Sequence, residues 1–377
     1  MKITTLKSLT TAVLMIAGAS FAAADVSHLH NLMQQRTALQ LSSRDSSGRD
    51  SDYKKGRSIF DKFSEAAADE VLEITLTTDV QTLAKVDGKP EYQPAFIAGH
   101  TAGGKKFEYQ LKVKPRGKYR RKVCDFPPLK LNFSKKDLAQ ENLTPDFDKL
   151  KLVTHCTDNR AMAKDNVLRE YLTYKMYNLL TPNSFRVQLV RITYVDLHNG
   201  NRPFTRYGFL IEDTDEMATR INGTECDCHG LSARTTARAP RQLMTMFQYM
   251  IGNEDWNIAG LRNMKAVQLL TGGEADNILV PYDFDFAGTV NAEYAVPSSD
   301  LQHRSVLQRH FAEPFVAESD FAETAAHFFA RKDDLFALVK DFKELRYINR
   351  IEMQEYLREF FLILEDEEKS RAAFFAE

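Results

Sequence analysis

The segments VLEITLTT, FEYQLKVK, LKLNF, DKLKLVTH, RVQLVRITYVDL and RYGFLIED either alternate apolar and polar residues or run apolar at strand length. They are broken by AGGK, PRGK and HNGN, whose glycine, proline and asparagine residues favour turns. Such a series has to bury one face of a sheet, and it predicts antiparallel pairing. One helix interrupts it: NVLREYLTYKMYNLL carries Leu168, Tyr171, Leu172, Met176 and Leu179 at helical spacing, with Asn166 as a cap and Pro182 just beyond its end. Beyond residue 213 the period changes. PRQLMTMFQYMI, SDFAETAAHFFARKDDLFALVKDF and NRIEMQEYLREFFLILEDEEKSRAAFFAE read as amphipathic helices. Strands with one embedded helix, then helices, predict an α+β chain of two lobes. The sheet lobe would span residues 69–213 and the helical lobe 214–377, with ligands in the crevice between them.

The amino terminus has a different character. MKITTLKSLTTAVLMIAGASFAAA places Lys2 and Lys7 before a short apolar run and ends in small residues, the layout of a cleaved signal over residues 1–24. Residues 25–68 include LSSRDSSGRDSDYKKGRS, too polar to order by its own burial, and read as a linker or loosely docked helix. No stretch is apolar for long enough to predict a membrane span. A periplasmic or secreted protein is expected. The formal net charge is −2, and loss of Lys2 and Lys7 makes it more negative, which argues against a nucleic-acid partner. Cys124, Cys156, Cys226 and Cys228 can therefore meet an oxidising compartment. Cys124 with Cys156 is the favoured disulfide, because a Cys226–Cys228 bond closes a very tight ring. CDCHG also offers Cys226, Cys228 and His229 to a metal, but lacks the second ligand pair of a structural zinc site.

The stretch MIGNEDWNIAGLRNMKAVQLLTGGEADNILVPYDFDFAG, residues 250–288, carries the chemistry. A helix ends at a Gly-Asn turn and Asp255 follows. Asn263 precedes one strand, and a second strand delivers Asp283 and Asp285. Two carboxylates two residues apart share one side of an extended chain, which is costly unless a cation answers them. Phosphoryl transfer needs such a set: a carboxylate within reach of the attacking hydroxyl, and hard oxygen ligands for magnesium.

The order and wording of PRGKYRR, FPPLKLNF, NVLREYLTYKMYNLL, YGFLIED, GNEDW and VPYDFDFAG resemble the CotH spore-coat kinase family over about residues 70–290. That resemblance implies a protein-kinase-like two-lobed fold, ATP with Mg2+ or Mn2+, and a protein substrate in the envelope or outside the cell. Asp255 resembles the catalytic aspartate, and Asp283 the metal-binding aspartate, with Asp285 as its rival. Asn263 resembles the second metal ligand, although kinases place this residue five positions after the aspartate, where Gly260 stands; Asn257 is the alternative. Lys130 resembles the strand lysine on the phosphates, with Lys122 as alternative, and Glu170 its ion-pair partner. Arg116 and Arg121, in the basic turn around Gly117, are placed to cover phosphates.

Each residue also has a structural reading. Asp255 is a turn former, Lys130 and Glu170 are surface residues, and the arginines form a solvated basic turn. A catalytically silent exported binding or envelope-assembly protein is the rival function. A serine hydrolase or zinc peptidase is unsupported, since G-x-S-x-G and H-E-x-x-H are absent.

Overall fold

The computed structural model describes residues 56–68, 71–84, 88–198, 202–270, 277–297 and 303–375. The expected signal at 1–24 and most of the polar segment 25–68 lie outside the described residues. Among the described residues the order begins with helix α1 (Ile59–Ala67), capped reciprocally by Ser58 and Asp61. Its Phe63 sits 5.3 Å from Phe107 and 5.9 Å from Phe133, so its apolar face is buried against the strands that follow.

Those strands are β1 (Leu72–Thr78), β2 (Gln93–His100), β3 (Lys106–Pro115), β4 (Leu129–Phe133), β5 (Lys149–Val153), β6 (Val187–Asp196) and β7 (Phe204–Ile211). They form a closed barrel in the order β1-β2-β3-β4-β5-β7-β6. Every neighbour is antiparallel except at the seam, where β1 runs parallel to β6 from Leu72↔Val190 to Thr78↔Asp196. Leu76, Ile97, Leu111, Leu131, Leu150 and Ile192 belong to the core cluster of the barrel. Their polar neighbours in sequence face outward.

This corrects the expected two-lobed, kinase-like α+β fold. The sheet is a closed, mixed barrel rather than an antiparallel lobe with one helix, and short helices α2 (Val80–Ala84), α3 (Arg120–Val123) and α4 (Lys135–Gln140) interrupt it besides the long α5 (Arg160–Leu180). The physical reason is edge pairing. Joining β1 to β6 satisfies backbone groups that an open sheet leaves exposed, and a period-2 pattern reads the same in open and closed sheets.

The remainder holds α6 (Thr214–Arg220), β8 (Gly223–Cys226), α7 (Arg238–Ile251), β9 (Met264–Leu269), β10 (Asn277–Pro281), α8 (Glu318–Ala330), α9 (Lys332–Asp341), α10 (Tyr347–Glu365) and α11 (Glu367–Phe374). Its strands make a second sheet in the order β10-β9-β8. Helix α5 packs against β6, β7 and α9. It buries residues on several sides, including Leu168, Leu172, Met176 and the polar Asp165, Arg169 and Glu170. Val187, Leu189, Phe209 and Ile211 share a core with Phe247, Val280 and Phe360, so the barrel wall and the helical part are joined by one apolar cluster. At that junction Glu212 is fully buried and accepts from the Arg186 backbone N–H and Nε, both at 2.7 Å.

Both cysteine pairs are bridged: Cys124 with Cys156, Cα atoms 4.5 Å apart, and Cys226 with Cys228, Cα atoms 5.1 Å apart. The tight ring set aside on sequence grounds therefore forms. No helix among the described residues is long and apolar enough to cross a membrane.

Candidate metal and phosphate site

Strand β10 ends at Pro281, and Asp283 then adopts a left-handed backbone, φ 64°. Its N–H donates to the Tyr174 hydroxyl of α5 at 2.8 Å, which fixes where the chain turns. Phe284 is fully buried, 4.6 Å from the Tyr174 ring and 5.6 Å from Phe247. Anchoring that side chain in the core sends Asp283 and Asp285 to the opposite side, where α5 presents Glu170. One oxygen from each of the three carboxylates lies within 4.8 Å of the others.

Arg120 of α3 sits among them. Its Nη2 is 3.1 Å from Glu170 Oε1 and 2.9 Å from Asp283 Oδ1, and its Nε is 2.7 Å from Asp285 Oδ2. Arg120, Glu170 and Asp285 are buried, whereas the Asp283 side chain keeps 28% exposure. The segment is held on both sides. Tyr119 stacks edge-on to Phe286 at 5.4 Å, and Cys124, which ends α3, is bonded to Cys156.

Electrostatics separate the members of the cluster. Burial pushes Glu170 up to about 8, helped by Asp285 and Asp283 and opposed by Arg120. Burial likewise raises Asp285. For Arg120 burial works against the charge, but Asp285, Glu170, Tyr294 and Asp283 raise its pKa well above the usual range, so it remains a cation. One guanidinium faces three carboxylates, and full ionisation leaves negative charge uncompensated. Either Glu170 keeps its proton or a second cation joins the cluster. Hard carboxylate oxygens suit Mg2+ or Mn2+, and partly exposed Asp283 is the open side of the set.

Asp255 stands on the loop after α7, which ends at Gly252 in the left-handed region, φ 64°. Buried Asn253 accepts from the Asp255 N–H at 3.1 Å through its side chain, and its carbonyl accepts from Trp256 Nε1 at 3.0 Å. Asn263 Nδ2 donates to both the Asp255 carbonyl and Oδ2 at 2.7 Å. The Tyr282 N–H donates to the Asn263 carbonyl at 3.0 Å. Asp255, Asn263 and the residue before Asp283 are thus joined by hydrogen bonds. Asn263 spends its amide nitrogen on Asp255, while exposed Asn257 uses Oδ1 to accept from Gly260 N–H at 2.7 Å and close its own turn. The Asp255 side chain is 34% exposed, and its Oδ1 lies 3.4 Å from Nε of the exposed Arg262.

The expected Lys130–Glu170 pair does not form: Arg120 is the cation on Glu170. Lys130 instead lies in a row. Lys114 of β3 is directly opposite Lys130 of β4, and Lys130 is opposite Lys151 of β5, all on the outward face of the barrel. Like charges in register destabilise a sheet unless an anion answers them. Lys151 Nζ donates to Thr214 Oγ1 at 2.7 Å and lies 4.6 Å above the Phe185 ring and 5.7 Å from Tyr282, the neighbour of Asp283. Arg116 is close enough to repel Lys151 and to act on Tyr174 and Tyr282. Arg121 turns away, donating to the carbonyls of Gly117 and Gly88 at 2.9 Å, and Lys122 is exposed. Two cavities on the barrel flank, about 570 Å³ beside Arg57 and Lys62 and about 430 Å³ beside Lys112 and Asn132, are lined by none of the three carboxylates.

Burial lowers Lys151 to about 7, with Arg116 adding to the shift and Asp213 opposing it. The folded chain releases this proton below the pH at which the unfolded chain does. The resulting penalty is complete below about 7 and is relieved as pH rises toward 10.5. Near pH 7 about half of Lys151 is neutral amine, against roughly one in a few thousand for an ordinary lysine. Acylation at pH 7 followed by peptide mass spectrometry should therefore modify Lys151 on the order of ten times faster than Lys118 or Lys136, and tripolyphosphate should slow it. Equal rates would remove the claim of a depressed lysine.

Sequence reasoning missed Arg120 and Lys151 as site residues. Arg120 differs from Arg121 only by its position on a four-residue helix, which no spacing rule reads. The lysine row was detectable once Lys114, Lys130 and Lys151 were each assigned to the polar face of a strand. The chain matches no protein-family model and no curated protein sequence.

Proposed function

We propose that this chain is an exported phosphotransferase, which moves the terminal phosphoryl group of Mg2+- or Mn2+-bound ATP to a Ser or Thr hydroxyl of a secreted or envelope protein. This is the activity implied by its resemblance to the CotH spore-coat kinases. The observation carrying the reading is the presence of two opposite fields: the carboxylates of Glu170, Asp283 and Asp285 around Arg120, and the row of Lys114, Lys130 and Lys151, whose member Lys151 lies 5.7 Å from the ring of Tyr282, the residue before Asp283. A metal–nucleotide complex presents a cation to the first and phosphate oxygens to the second. Two disulfides support export to an oxidising compartment.

The roles divide by position. Asp283 and Asp285 would hold the metal, with Glu170 kept in place by Arg120. The metal, when bound, draws charge from the phosphate oxygens. Lys130, Lys151 and Arg116 offset the remaining phosphate charge. Asp255, oriented by Asn263 and Asn253, accepts the proton of the attacking hydroxyl as the oxygen–phosphorus bond forms; ADP leaves with the bridging oxygen and its electron pair.

The test is to incubate the mature protein with γ-labelled ATP, Mg2+ or Mn2+, and a hydroxyl-rich acceptor such as casein, following label on the acceptor and on the protein itself. Transfer that depends on the metal supports the reading. Absence of both nucleotide binding and transfer with either metal rejects it. One observation favours a second reading, that of a catalytically silent exported binding protein: Arg120 already contacts all three carboxylates. Nucleotide binding without transfer to any acceptor would select that alternative.

A further inference from the structure

The two disulfides are built for different work. Cys124–Cys156 spans 32 residues, Cys156 is 7% exposed, and its carbonyl accepts the Asp125 N–H at 2.8 Å. Closing a loop of that length removes considerable freedom from the unfolded chain, which is how a disulfide stabilises a fold. Cys226–Cys228 closes over Asp227 alone. A loop of one residue removes little, so stabilisation does not account for this bond.

Its position suits exchange with an outside thiol. Strand β8 is an edge of the second sheet, and its pairing with β9 ends at Cys226↔Ala266, so Cys228 lies past the last paired residue. Both cysteines are partly exposed; the Asp227 side chain between them is 95% exposed and that of His229, next after Cys228, 66%. The charged groups around the pair include both signs. Lys265 pairs with Glu225, and His229 Nε2 is 3.4 Å from Asp227 Oδ1. His229 follows Cys228 directly in sequence. Accessible disulfides in short rings are the readily reduced ones.

We propose that Cys226–Cys228 is a thiol–disulfide exchange site that oxidises dithiols in exported polypeptides, an activity separate from phosphoryl transfer. A substrate thiolate attacks Cys226 Sγ. The sulfur–sulfur bond breaks with its electron pair on Cys228, which takes up a proton. The second substrate thiol then attacks the mixed disulfide at the substrate's own sulfur and displaces the Cys226 thiolate, which is protonated in turn. Two electrons and two protons pass from the substrate dithiol to the cysteine pair, and the substrate leaves with a disulfide. A single round needs no other reactant; repeated turnover requires an exported disulfide-bearing oxidant to restore the bond.

The experiment uses the mature protein, treated with diamide and desalted. It is titrated with glutathione redox buffers and alkylated with a maleimide, and each cysteine is followed by peptide mass spectrometry. In parallel the oxidised protein is mixed with a synthetic peptide carrying two thiols. The expected result is reduction of Cys226–Cys228 at a glutathione ratio at least ten times more oxidising than Cys124–Cys156 requires, with about one equivalent of peptide disulfide formed per protein. The double variant Cys226→Ser, Cys228→Ser should form none. Equal resistance of the two disulfides, failure of diamide to close the 226–228 bond, or peptide oxidation by the double variant would each overturn the proposal. The position-resolved titration of the unaltered protein decides the matter even where the variant folds poorly.

Discussion

Arg120→Ala is expected to lower the stability of the metal-free protein by about 3–5 kcal/mol, the usual consequence of removing one partner from a buried ionic cluster. The size follows from what is left behind. Glu170 and Asp285, both buried, would face each other and Asp283 without any cation, and burial already pushes Glu170 up to about 8 with Arg120 present. Protonation of the carboxylates would recover part of the loss, so the variant should be least stable above pH 8 and recover as pH falls. A divalent cation should recover it as well. Thermal melting with and without millimolar Mn2+ separates two outcomes. If the cluster is a metal site, the ion raises the melting temperature of Arg120→Ala more than that of the unaltered protein. If the carboxylates exist only to hold Arg120, the ion does nothing for either. Melting unchanged by the substitution would mean that the cluster does not form as described.

How far the sequence predicts this arrangement depends on whether a feature is local. Alternation in FEYQLKVK and LKLNF places β3 and β4, whereas Asp283 and Asp285 lie beyond the end of β10, where the left-handed backbone at Asp283 and the buried Phe284 set their directions. Strand β2 escapes the reading because QPAFIAGH carries Pro94 and Gly99, residues depleted in strands. Gly99 has a non-local reason to be there: a Cβ at that position would lie 2.5 Å from the Phe107 ring across the β2–β3 pair. Closure of the barrel is equally non-local. It rests on a parallel match between β1 and β6, more than a hundred residues apart, and nothing in either segment states the partner.

The same distinction governs the site. Asp255, Asn263 and Asp283 fall within one continuous stretch, and the structure links their backbones through Asn253 and Tyr282. Glu170 and Arg120 come from elsewhere and meet only after α5 packs against the barrel wall. The choice of cation was therefore beyond a reading by family pattern. Lys130 has the residue type and the strand position, but it faces Lys114 and Lys151 rather than Glu170.

Asp255→Asn is expected to reduce phosphoryl transfer by about 10²- to 10⁴-fold, the range associated with loss of a general base. Its effect on folding should be small. An asparagine side-chain oxygen can still accept from Asn263 Nδ2, the backbone N–H can still reach Asn253, and the side chain is 34% exposed, so no buried charge is abandoned. Nucleotide affinity should stay within about two-fold, because the lysine row and the Glu170 cluster remain. Asp283→Asn provides the contrast. It alters the open member of the carboxylate set, and both metal-dependent nucleotide binding and transfer should fall together. Turnover and nucleotide affinity measured on both variants give a pattern that a purely structural role for Asp255 does not produce. If Asp255→Asn transfers phosphate at the unaltered rate, the residue is a turn former held by Asn253, and the proton acceptor lies elsewhere. If it loses transfer only in proportion to a lower melting temperature, its effect is on the fold, and the base assignment fails for that reason instead.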